Sequence, residues 1–392
     1  MFLVRIRGIF IRTLRPSQVI HTCAGAQFYR LPRNTKDHQL RNILCQFSLH
    51  QYLYGTGLWR IPRVLLLPLA WIYPTVSWLR YHVARPKHFP FFTVAIGNLV
   101  AGGTGKTPLT LFFAQHLQAK GFKVAILSRG YGGKYKTPFA VITPETTWEV
   151  GGDEPLLLAL RSGATVVVSR NRFDGARYLA TQEIDVVILD DAFSNHALHK
   201  DFECLLLDAT TPYGNGWPIP SGTLREFPSQ QQRADTALLT RVPLEYTGAH
   251  PAFHFALRLA LPTGCAIACA SALGDNRQFQ QALRQAGFII EKTWEGLDHH
   301  PIPAAVIEEL ASHGLPVVTT VKDFVKIPAQ LRSLVHVAEL EPIPINVHEV
   351  LDSLEKRIDL FFTQNNRQPL SAPSRQNSTF AGTDDGENRL HL

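Results

Sequence analysis

A glycine-rich segment at residues 94–107, with the sequence VAIGNLVAGGTGKT, constrains the fold more than any other feature of the chain. Residues 94–96 are apolar and β-prone, a glycine loop follows, and a stretch with helical character begins after it. A strand, a glycine loop and a helix start form a phosphate cradle, because loop N–H groups and the positive end of the helix dipole point at the anion. The predicted phosphate-binding residues are Gly102, Gly103, Thr104, Gly105, Lys106 and Thr107.

The match to the usual pattern G-x-x-x-x-G-K-[ST] is incomplete, because Val100 stands where the first glycine is expected. The alternative is a tight turn before a helix, but the strand–loop–helix context favours phosphate binding. In that role Lys106 supplies a positive charge for the β- and γ-phosphates, and the Thr107 hydroxyl can bind Mg²⁺.

Positive charge is concentrated at the N-terminus. Residues 1–90 contain thirteen Lys or Arg and one acid, Asp37, so this segment carries about +12 and the remaining chain about −5. A basic segment rich in Trp and Leu favours an anionic membrane surface, and we expect no nucleic-acid partner. Five cysteines without metal-like spacing are typical of reduced thiols in a cytoplasmic protein.

Residues 64–79, VLLLPLAWIYPTVSWL, contain no charge, and basic and aromatic residues flank them. Pro68 and Pro74 interrupt the run, which is shorter than the twenty or so apolar residues of a spanning helix. We interpret it as a pair of helices lying in the membrane interface. A buried core helix and a true span are the alternatives.

From Phe91 onward, short β-branched runs alternate with helical stretches, which predicts a doubly wound, mostly parallel α/β sheet. A second α/β pattern of the same kind follows after a proline-rich linker. The predicted strands are residues 93–96, 123–127, 165–168, 185–189, 204–207, 236–239, 266–270, 288–291 and 317–320. The predicted helices are residues 108–120, 154–161, 172–181, 277–286 and 304–312.

The predicted organisation has six parts. They are a basic extension (1–42), an interfacial helical segment (43–90), a P-loop core (91–241), a two-lobe linker (242–262), a second α/β lobe (263–363) and a disordered tail (364–392).

Acidic residues at the end of one predicted strand and before one predicted helix are candidates for metal binding and proton transfer. Asp190 and Asp191 end a buried strand, where a phosphate-loop fold holds Mg²⁺, although a solvated pair capping a turn is the alternative. Asp153, in the run GGDEP before a helix, is either a general base near the γ-phosphate or a favourable charge at a helix start.

Two further segments bear on the nucleotide. The loop YGNGWPIPSGTLREFP carries Arg225, which could bind transferring phosphoryl oxygens, or form a surface ion pair with Glu226. The run TTVKD, which ends a strand, does not match a guanine-binding motif, because Val321 stands where its lysine is expected. ATP is therefore favoured over GTP.

These segments together resemble one enzyme family. The ordered set GN-x-x-x-GGTGKTP, SRGYGG, GDEP, Asp-Asp, YGNGWPIPSGTLRE, DHHP and TTVKD is similar to tetraacyldisaccharide 4′-kinases, over about residues 59–360. The resemblance implies ATP- and Mg²⁺-dependent phosphorylation of the 4′-hydroxyl of a tetraacyldisaccharide 1-phosphate, giving lipid IVA in lipid A biosynthesis. It also implies a peripheral enzyme on the cytoplasmic face of the bacterial inner membrane.

The resemblance also assigns roles to residues. It implies that Asp153 is the general base, that His299 assists it, and that Arg225 is the loop arginine. It implies a metal site formed by Thr107, Asp190, Asp191 and Glu226.

The chain departs from the family pattern at one point. After Asp-Asp the family usually has Gly, an apolar residue, Gln and His, whereas this chain has Ser194 and Asn195 at the last two places and His196 one place later. A membrane scaffold without catalytic activity is therefore an alternative hypothesis. A regulatory ATPase or GTPase of the metal-chaperone type is another, but the chain lacks the His/Cys runs and guanine motif typical of that class.

Overall fold

A computed structural model describes residues 52–53 and 60–370 of the chain. The predicted extension at residues 1–42 and the tail beyond residue 370 lie outside the described residues, as does most of the stretch 43–59.

Twelve strands of the described region form one continuous sheet. They are β1 (Phe92–Asn98), β2 (Val124–Ser128), β3 (Ala140–Ile142), β4 (Thr165–Val168), β5 (Val186–Asp190), β6 (Phe202–Asp208), β7 (Thr236–Thr240), β8 (Ala252–Arg258), β9 (Ala266–Ser271), β10 (Ile289–Glu295), β11 (Val317–Thr320) and β12 (Val335–Ile345). Their order across the sheet is β10-β9-β11-β12-β8-β7-β6-β1-β5-β2-β4-β3. Only the β3–β4 and β8–β12 pairs are antiparallel, so the predicted mostly parallel sheet is confirmed.

Helices connect these strands. They are α1 (Arg60–Leu65), α2 (Leu67–Ala70), α3 (Ile72–Val83), α4 (Lys106–Ala119), α5 (Trp148–Gly151), α6 (Asp153–Ser162), α7 (Arg172–Leu179), α8 (Asn276–Gln285), α9 (Ala304–Ser312), α10 (Val321–Phe324) and α11 (His348–Gln364). Two 3₁₀ helices span Pro228–Arg233 and Ala329–Leu334.

The central strand β1 is buried along its whole length. Its successive side chains point to opposite faces of the sheet. Val94 and Ile96 therefore contribute to the apolar cluster that includes Phe113 of α4, whereas Ala95 contributes to a second cluster with Leu189. Burial on both faces is typical of parallel strands. Because β1, β5 and β2 run parallel, their carboxyl ends lie together at one edge of the sheet.

The predicted linker 242–262 contains β8, which belongs to the sheet itself. Leu239 of β7 pairs with Ala252 in parallel, and Ile343 of β12 pairs with His254 in antiparallel orientation. The two predicted lobes therefore share one sheet, and their treatment as separate domains stays a prediction.

Two elements at the end of the described chain were not predicted. Strand β12 contains Pro342 and Pro344, which disfavour a strand assignment from sequence. Helix α11 returns to the first part of the sheet, where Phe361 meets Phe92 with ring centroids 5.6 Å apart.

The apolar segment before the phosphate loop, residues 60–83, is called the lead-in below. It forms the three helices α1–α3 instead of the predicted pair, with breaks at Leu66 and Trp71. The large apolar side chains of these helices are mostly exposed: Ile61, Val64, Leu65, Leu69, Trp71, Ile72, Tyr73, Val76, Trp78, Leu79, Tyr81 and Val83. The buried-core alternative is therefore wrong for this segment. Within residues 60–370 no helix is both long and apolar enough to cross a bilayer.

Candidate active site

The glycine loop between β1 and α4 has the conformation expected of a phosphate cradle. Helix α4 begins at Lys106, directly after Gly105, whose positive φ of 84° favours glycine. A Cβ atom at Gly105 would lie 2.3 Å from the ring of Phe255, so a larger residue there would also have to displace that ring. The Asn98 amide donates to the Thr104 hydroxyl at 2.9 Å and joins the end of β1 to the loop.

The Lys106 ammonium lies over this loop. Its Nζ is 3.3 Å from the carbonyl oxygen of Gly102, 3.5 Å from Oδ1 of Asn98 and 3.8 Å from Oδ1 of Asp191. The predicted lysine and one predicted metal-site acid are thus adjacent.

The two aspartates after β5 have different surroundings. Asp190 is buried, and its carboxylate accepts hydrogen bonds from Ser128 at 2.9 Å and Thr110 at 3.4 Å. Asp191 has a positive φ of 45° and forms a bidentate pair with Arg225, at 2.9 and 3.1 Å. The guanidinium of Arg172 donates to the backbone carbonyl oxygens of both aspartates.

These surroundings separate the acidities of the two carboxyl groups. Burial raises the pKa of Asp190 to about 6, helped by the negative charges of Glu154 and Asp191. Burial would also raise the pKa of Asp191, but Lys106 and Arg225 outweigh it and lower that pKa well below its usual range. One carboxyl group of the pair is therefore readily protonated and the other stays ionised.

The predicted general base lies at the start of α6. Asp153 is 3% exposed, and its two carboxylate oxygens lie 3.0 and 3.1 Å from Nδ1 of His299. Gly152 precedes it with φ of 91°, and a Cβ atom there would lie 2.5 Å from the Tyr131 carbonyl oxygen. The glycines of GGDEP and SRGYGG thus allow two loops to approach each other, and the Tyr131 ring lies 5.0 Å from that of His299.

Two lysines after β11 approach the same carboxylate. Lys326 is fully buried, 3.4 Å from Asp153 and 2.9 Å from Asp323. Lys322 Nζ is 4.0 Å from Asp153. Burial by itself would raise the pKa of Asp153, but the hydrogen bond from His299 and the charges of Lys322, His299 and Lys326 lower it to about 2.

The predicted loop residues Arg225 and Glu226 face different groups. Arg225 binds Asp191 and also donates to Asn98, beside Lys106. Glu226 is fully buried, and its carboxylate accepts a hydrogen bond from Ser77 of α3 at 2.7 Å. It lies 3.8 Å from His196 and 3.9 Å from Arg233.

The hydrogen bond that the Glu226 carboxylate accepts from Ser77 thus joins its loop to helix α3. The place of this carboxylate among the metal ligands stays a prediction.

The segment that departs from the family pattern forms a turn beside the site. The Asn195 side chain accepts from the backbone N–H groups of Ala197 and Leu198, at 3.3 and 3.4 Å. His196 faces Glu226, and its ring lies 5.5 Å from that of Tyr81. His196 thus contacts the lead-in helix in this structure.

Oxygen ligands suited to Mg²⁺ are present beside the phosphate loop. Within residues 60–370 no cluster of three or more His, Cys, Asp or Glu side chains could hold a metal by itself. Mg²⁺, however, is usually bound through one or two carboxylates together with water and phosphate oxygens. Burial and, after it, the charges of Glu154 and Asp191 raise the pKa of Asp190, and a bound cation would oppose both effects. Asp190, Asp191 and Thr107 therefore fit the ion in ligand type and charge.

The predicted site residues thus lie in two groups: Asp190, Asp191 and Arg225 around the phosphate loop, and Asp153 with His299. Glu154, the chain neighbour of Asp153, binds Lys322 at 3.1 Å, and its charge adds to the effect of burial in raising the pKa of Asp190.

Sequence reasoning assigned no role to several residues of the site: Asn98, Arg172, Arg241, Lys322 and Lys326. Asn98 lies in the motif GN-x-x-x-GGTGKTP and Lys322 lies in TTVKD, so their motifs could have indicated a role. The other three lie in none of the quoted motifs. Arg241, for example, donates to Asp208 and to the Gly103 carbonyl oxygen, so that it joins β7 to the phosphate loop.

Comparisons with known proteins agree with this geometry. The family model described as "LpxK: Tetraacyldisaccharide-1-P 4'-kinase" matches residues 62–359. A crystal structure of LpxK from Aquifex aeolicus, described as an "apo" form in complex with ATP, is 28% identical, with a TM-score of 0.62, covering 76% of this chain and 99% of that one.

The signal recognition particle receptor FtsY from Elizabethkingia anophelis, in complex with GDP, is 14% identical with a TM-score of 0.24, covering 52% and 63% of the two chains. That likeness is too weak to support an argument. On the family match, which spans most of the sequence, this chain belongs to the tetraacyldisaccharide-1-P 4′-kinase family.

Proposed function

We propose that this chain transfers the γ-phosphate of ATP to the 4′-hydroxyl of a tetraacyldisaccharide 1-phosphate, forming lipid IVA in lipid A biosynthesis. Family membership supports this reaction over a metal-chaperone ATPase or GTPase, and the intact phosphate loop and Asp153–His299 pair argue against a scaffold without activity. The single observation that carries the proposal is the buried Asp153 carboxylate, which is bonded to His299 at 3.0 Å and approached by Lys322 and Lys326.

On this proposal the residues around the glycine loop bind the nucleotide. The loop N–H groups and Lys106 stabilise the β- and γ-phosphates, and Arg225 stabilises charge that develops during transfer. Mg²⁺, bound by Thr107, Asp190 and Asp191, would neutralise negative charge on the phosphates. A loose phosphoryl-transfer transition state makes positioning and charge neutralisation the larger contributions.

The Asp153–His299 pair would accept the proton of the sugar hydroxyl. As the new O–P bond forms, the bond to ADP breaks and its electron pair goes to the β-phosphate oxygen. The hydroxyl proton passes to an Asp153 oxygen and then to Nδ1 of His299, which can accept it only while the neutral imidazole carries its own proton on Nε2. The resulting carboxylate–imidazolium pair is favoured, because the contact with His299 contributes to lowering the pKa of Asp153 to about 2. Burial lowers the pKa of His299, but the hydrogen bond and charge of Asp153 outweigh it and raise that pKa overall.

We also propose that the enzyme is peripheral to the cytoplasmic face of the bacterial inner membrane and has no nucleic-acid partner. The exposed Trp and Leu side chains of α1–α3 support an interfacial position, because such side chains enter the acyl boundary while basic residues bind anionic headgroups. An acylated substrate requires the site to meet the bilayer.

Asp153→Asn tests the assignment of the base. We expect kcat to fall by about 10²–10⁴, the usual range for a lost general base, with ATP affinity nearly unchanged. The assay measures transfer from labelled ATP to the disaccharide 1-phosphate in mixed micelles. Asp352→Asn, at an exposed position of α11, is the matched control.

A folded Asp153→Asn variant with near-normal turnover would contradict the assignment. Recovery of its activity by excess Mg²⁺ would instead make Asp153 a metal ligand.

A further inference from the structure

Lys322, the second residue of α10, forms hydrogen bonds to two carboxylates and lies near a third, that of Asp153. Its Nζ lies 3.1 Å from Glu154, 3.1 Å from Asp298 and 4.0 Å from Asp153. The side chain is 18% exposed, so these pairs are largely shielded from water. Ion pairs in such surroundings are screened less by salt than surface pairs.

Two of these carboxylates flank the imidazole of His299 on opposite sides. Nδ1 faces Asp153 at 3.0 Å, and Nε2 lies 3.5 Å from Oδ2 of Asp298. The backbone N–H of His299 also donates to Asp298 at 3.0 Å, within a turn where His299 has a positive φ of 64°.

An imidazole between two carboxylates favours its protonated form. A permanently protonated His299 could not accept the proton of the sugar hydroxyl, so the site requires an opposing positive charge. The charged or titratable side chains that face His299 directly or through its partners are Asp153, Asp298, Tyr131, Lys322 and Lys326.

Lys326 is directed at Asp153 and Asp323, whereas Lys322 contacts the carboxylates on both sides of the ring. We propose that Lys322 is a positioning residue, which orients Asp153, Glu154 and Asp298 around His299 and, by its charge, keeps the imidazole able to accept a proton. This inference rests on the proposed kinase reaction. Burial and the charge of Lys322 both lower the pKa of His299, and they limit the larger upward effect of the two carboxylates.

The test compares Lys322→Met with Lys322→Arg in the full-length protein. Removal of the charge stabilises the imidazolium, so in Lys322→Met we expect the acidic limb of the kcat/KM profile to move to higher pH by about one unit. Part of the activity should return on the alkaline side, and KM for ATP should stay within about threefold of wild type. Lys322→Arg should keep the wild-type limb, since it retains the charge.

A second measurement does not depend on catalysis. The His299 imidazole is titrated by NMR, with His299→Asn used to assign its signal, and Lys322→Met should raise its midpoint. Lys356→Met removes the same charge from an exposed position of α11 and should change neither measurement.

The outcomes are distinct. An equal loss of activity at every pH with an unmoved His299 midpoint would overturn the proposal and leave Lys322 a structural role. A large rise in KM for ATP without a shift of the limb would also overturn it, and would make Lys322 a nucleotide ligand. The protein could lack disaccharide kinase activity while Lys322→Met still raises the NMR titration midpoint of His299. That result would support the positioning role and contradict the proposed function.

Discussion

At the scale of single residues, Lys106 has few competing partners for its charge. It contacts a backbone carbonyl oxygen, Asn98 and the edge of Asp191, all at 3.3 Å or more. Lys106→Ala should therefore leave the fold intact and lower kcat/KM by at least about a hundredfold. Steady-state kinetics together with a thermal melt measure both effects, with Lys356→Ala as control. Near-normal turnover in the folded variant would contradict the phosphate-loop assignment.

Asp190 supports a prediction about pH and stability. Its pKa is raised from 3.8 to about 6, so the folded state binds the proton more tightly than the unfolded state. Such a group favours folding below about pH 4, and this contribution is lost as pH rises towards 6.

Without nucleotide or metal, Asp190→Asn should therefore stabilise the protein at pH 8, by up to about 3 kcal/mol. The gain should shrink as the pH falls towards 5. Urea unfolding at the two pH values measures it, and Asp352→Asn should show no such dependence. If Asp190 binds Mg²⁺ as proposed, the same variant should require more Mg²⁺ for activity.

At the scale of elements, helix α3 and the loop after β6 meet at a buried carboxylate. Ser77 donates to Glu226, and Glu226 is the chain neighbour of Arg225, which binds Asp191. Ser77→Ala removes that donor, so we expect a loss of about 1–3 kcal/mol in unfolding free energy. Thr363→Ala, which removes a hydroxyl at an exposed position of α11, is the control.

The same contact distinguishes two roles for Glu226. If it joins α3 to the loop, Glu226→Gln should alter stability and leave the Mg²⁺ dependence of kcat unchanged. A higher Mg²⁺ requirement would support the predicted metal role instead.

At the scale of the whole molecule, the exposed side chains of α1–α3 form an apolar surface on a chain whose first ninety residues are strongly basic. Leu65→Asp combined with Leu69→Asp should weaken binding to anionic vesicles by at least tenfold, because burial of each Leu contributes about 1.5–3 kcal/mol. Co-sedimentation measures this binding. Leu360→Asp is the control, because Leu360 is also more than half exposed but lies on α11.

High salt should weaken vesicle binding by the intact chain without removing it, since screening acts on charge and not on apolar contact.

A chain without residues 1–42 should keep appreciable activity, because the family match begins at residue 62. Equal vesicle binding by a chain without residues 1–90 would contradict the interfacial position.

Local sequence patterns were sufficient to predict the phosphate loop, most strands and helices, and the family. Residues 165–168, 304–312 and 317–320 were predicted with the observed bounds, because apolar periodicity and turn residues act over short stretches. Strand β12 was missed because Pro342 and Pro344 oppose a strand locally, whereas pairing with β8 stabilises it in the sheet. That pairing also joins the two lobes that composition alone had separated.

The environment of each site residue was decided by the tertiary structure. Asp153 and Asp190 are both buried aspartates, yet one has its pKa lowered to about 2 and the other raised to about 6. The difference arises from contacts with residues far away in the chain, such as His299 and Lys326 at Asp153. Glu226 meets Ser77 in the same way, across 149 residues. The sequence by itself determined which groups could do chemistry, but their charges depend on burial and on neighbours that only the folded sheet brings together.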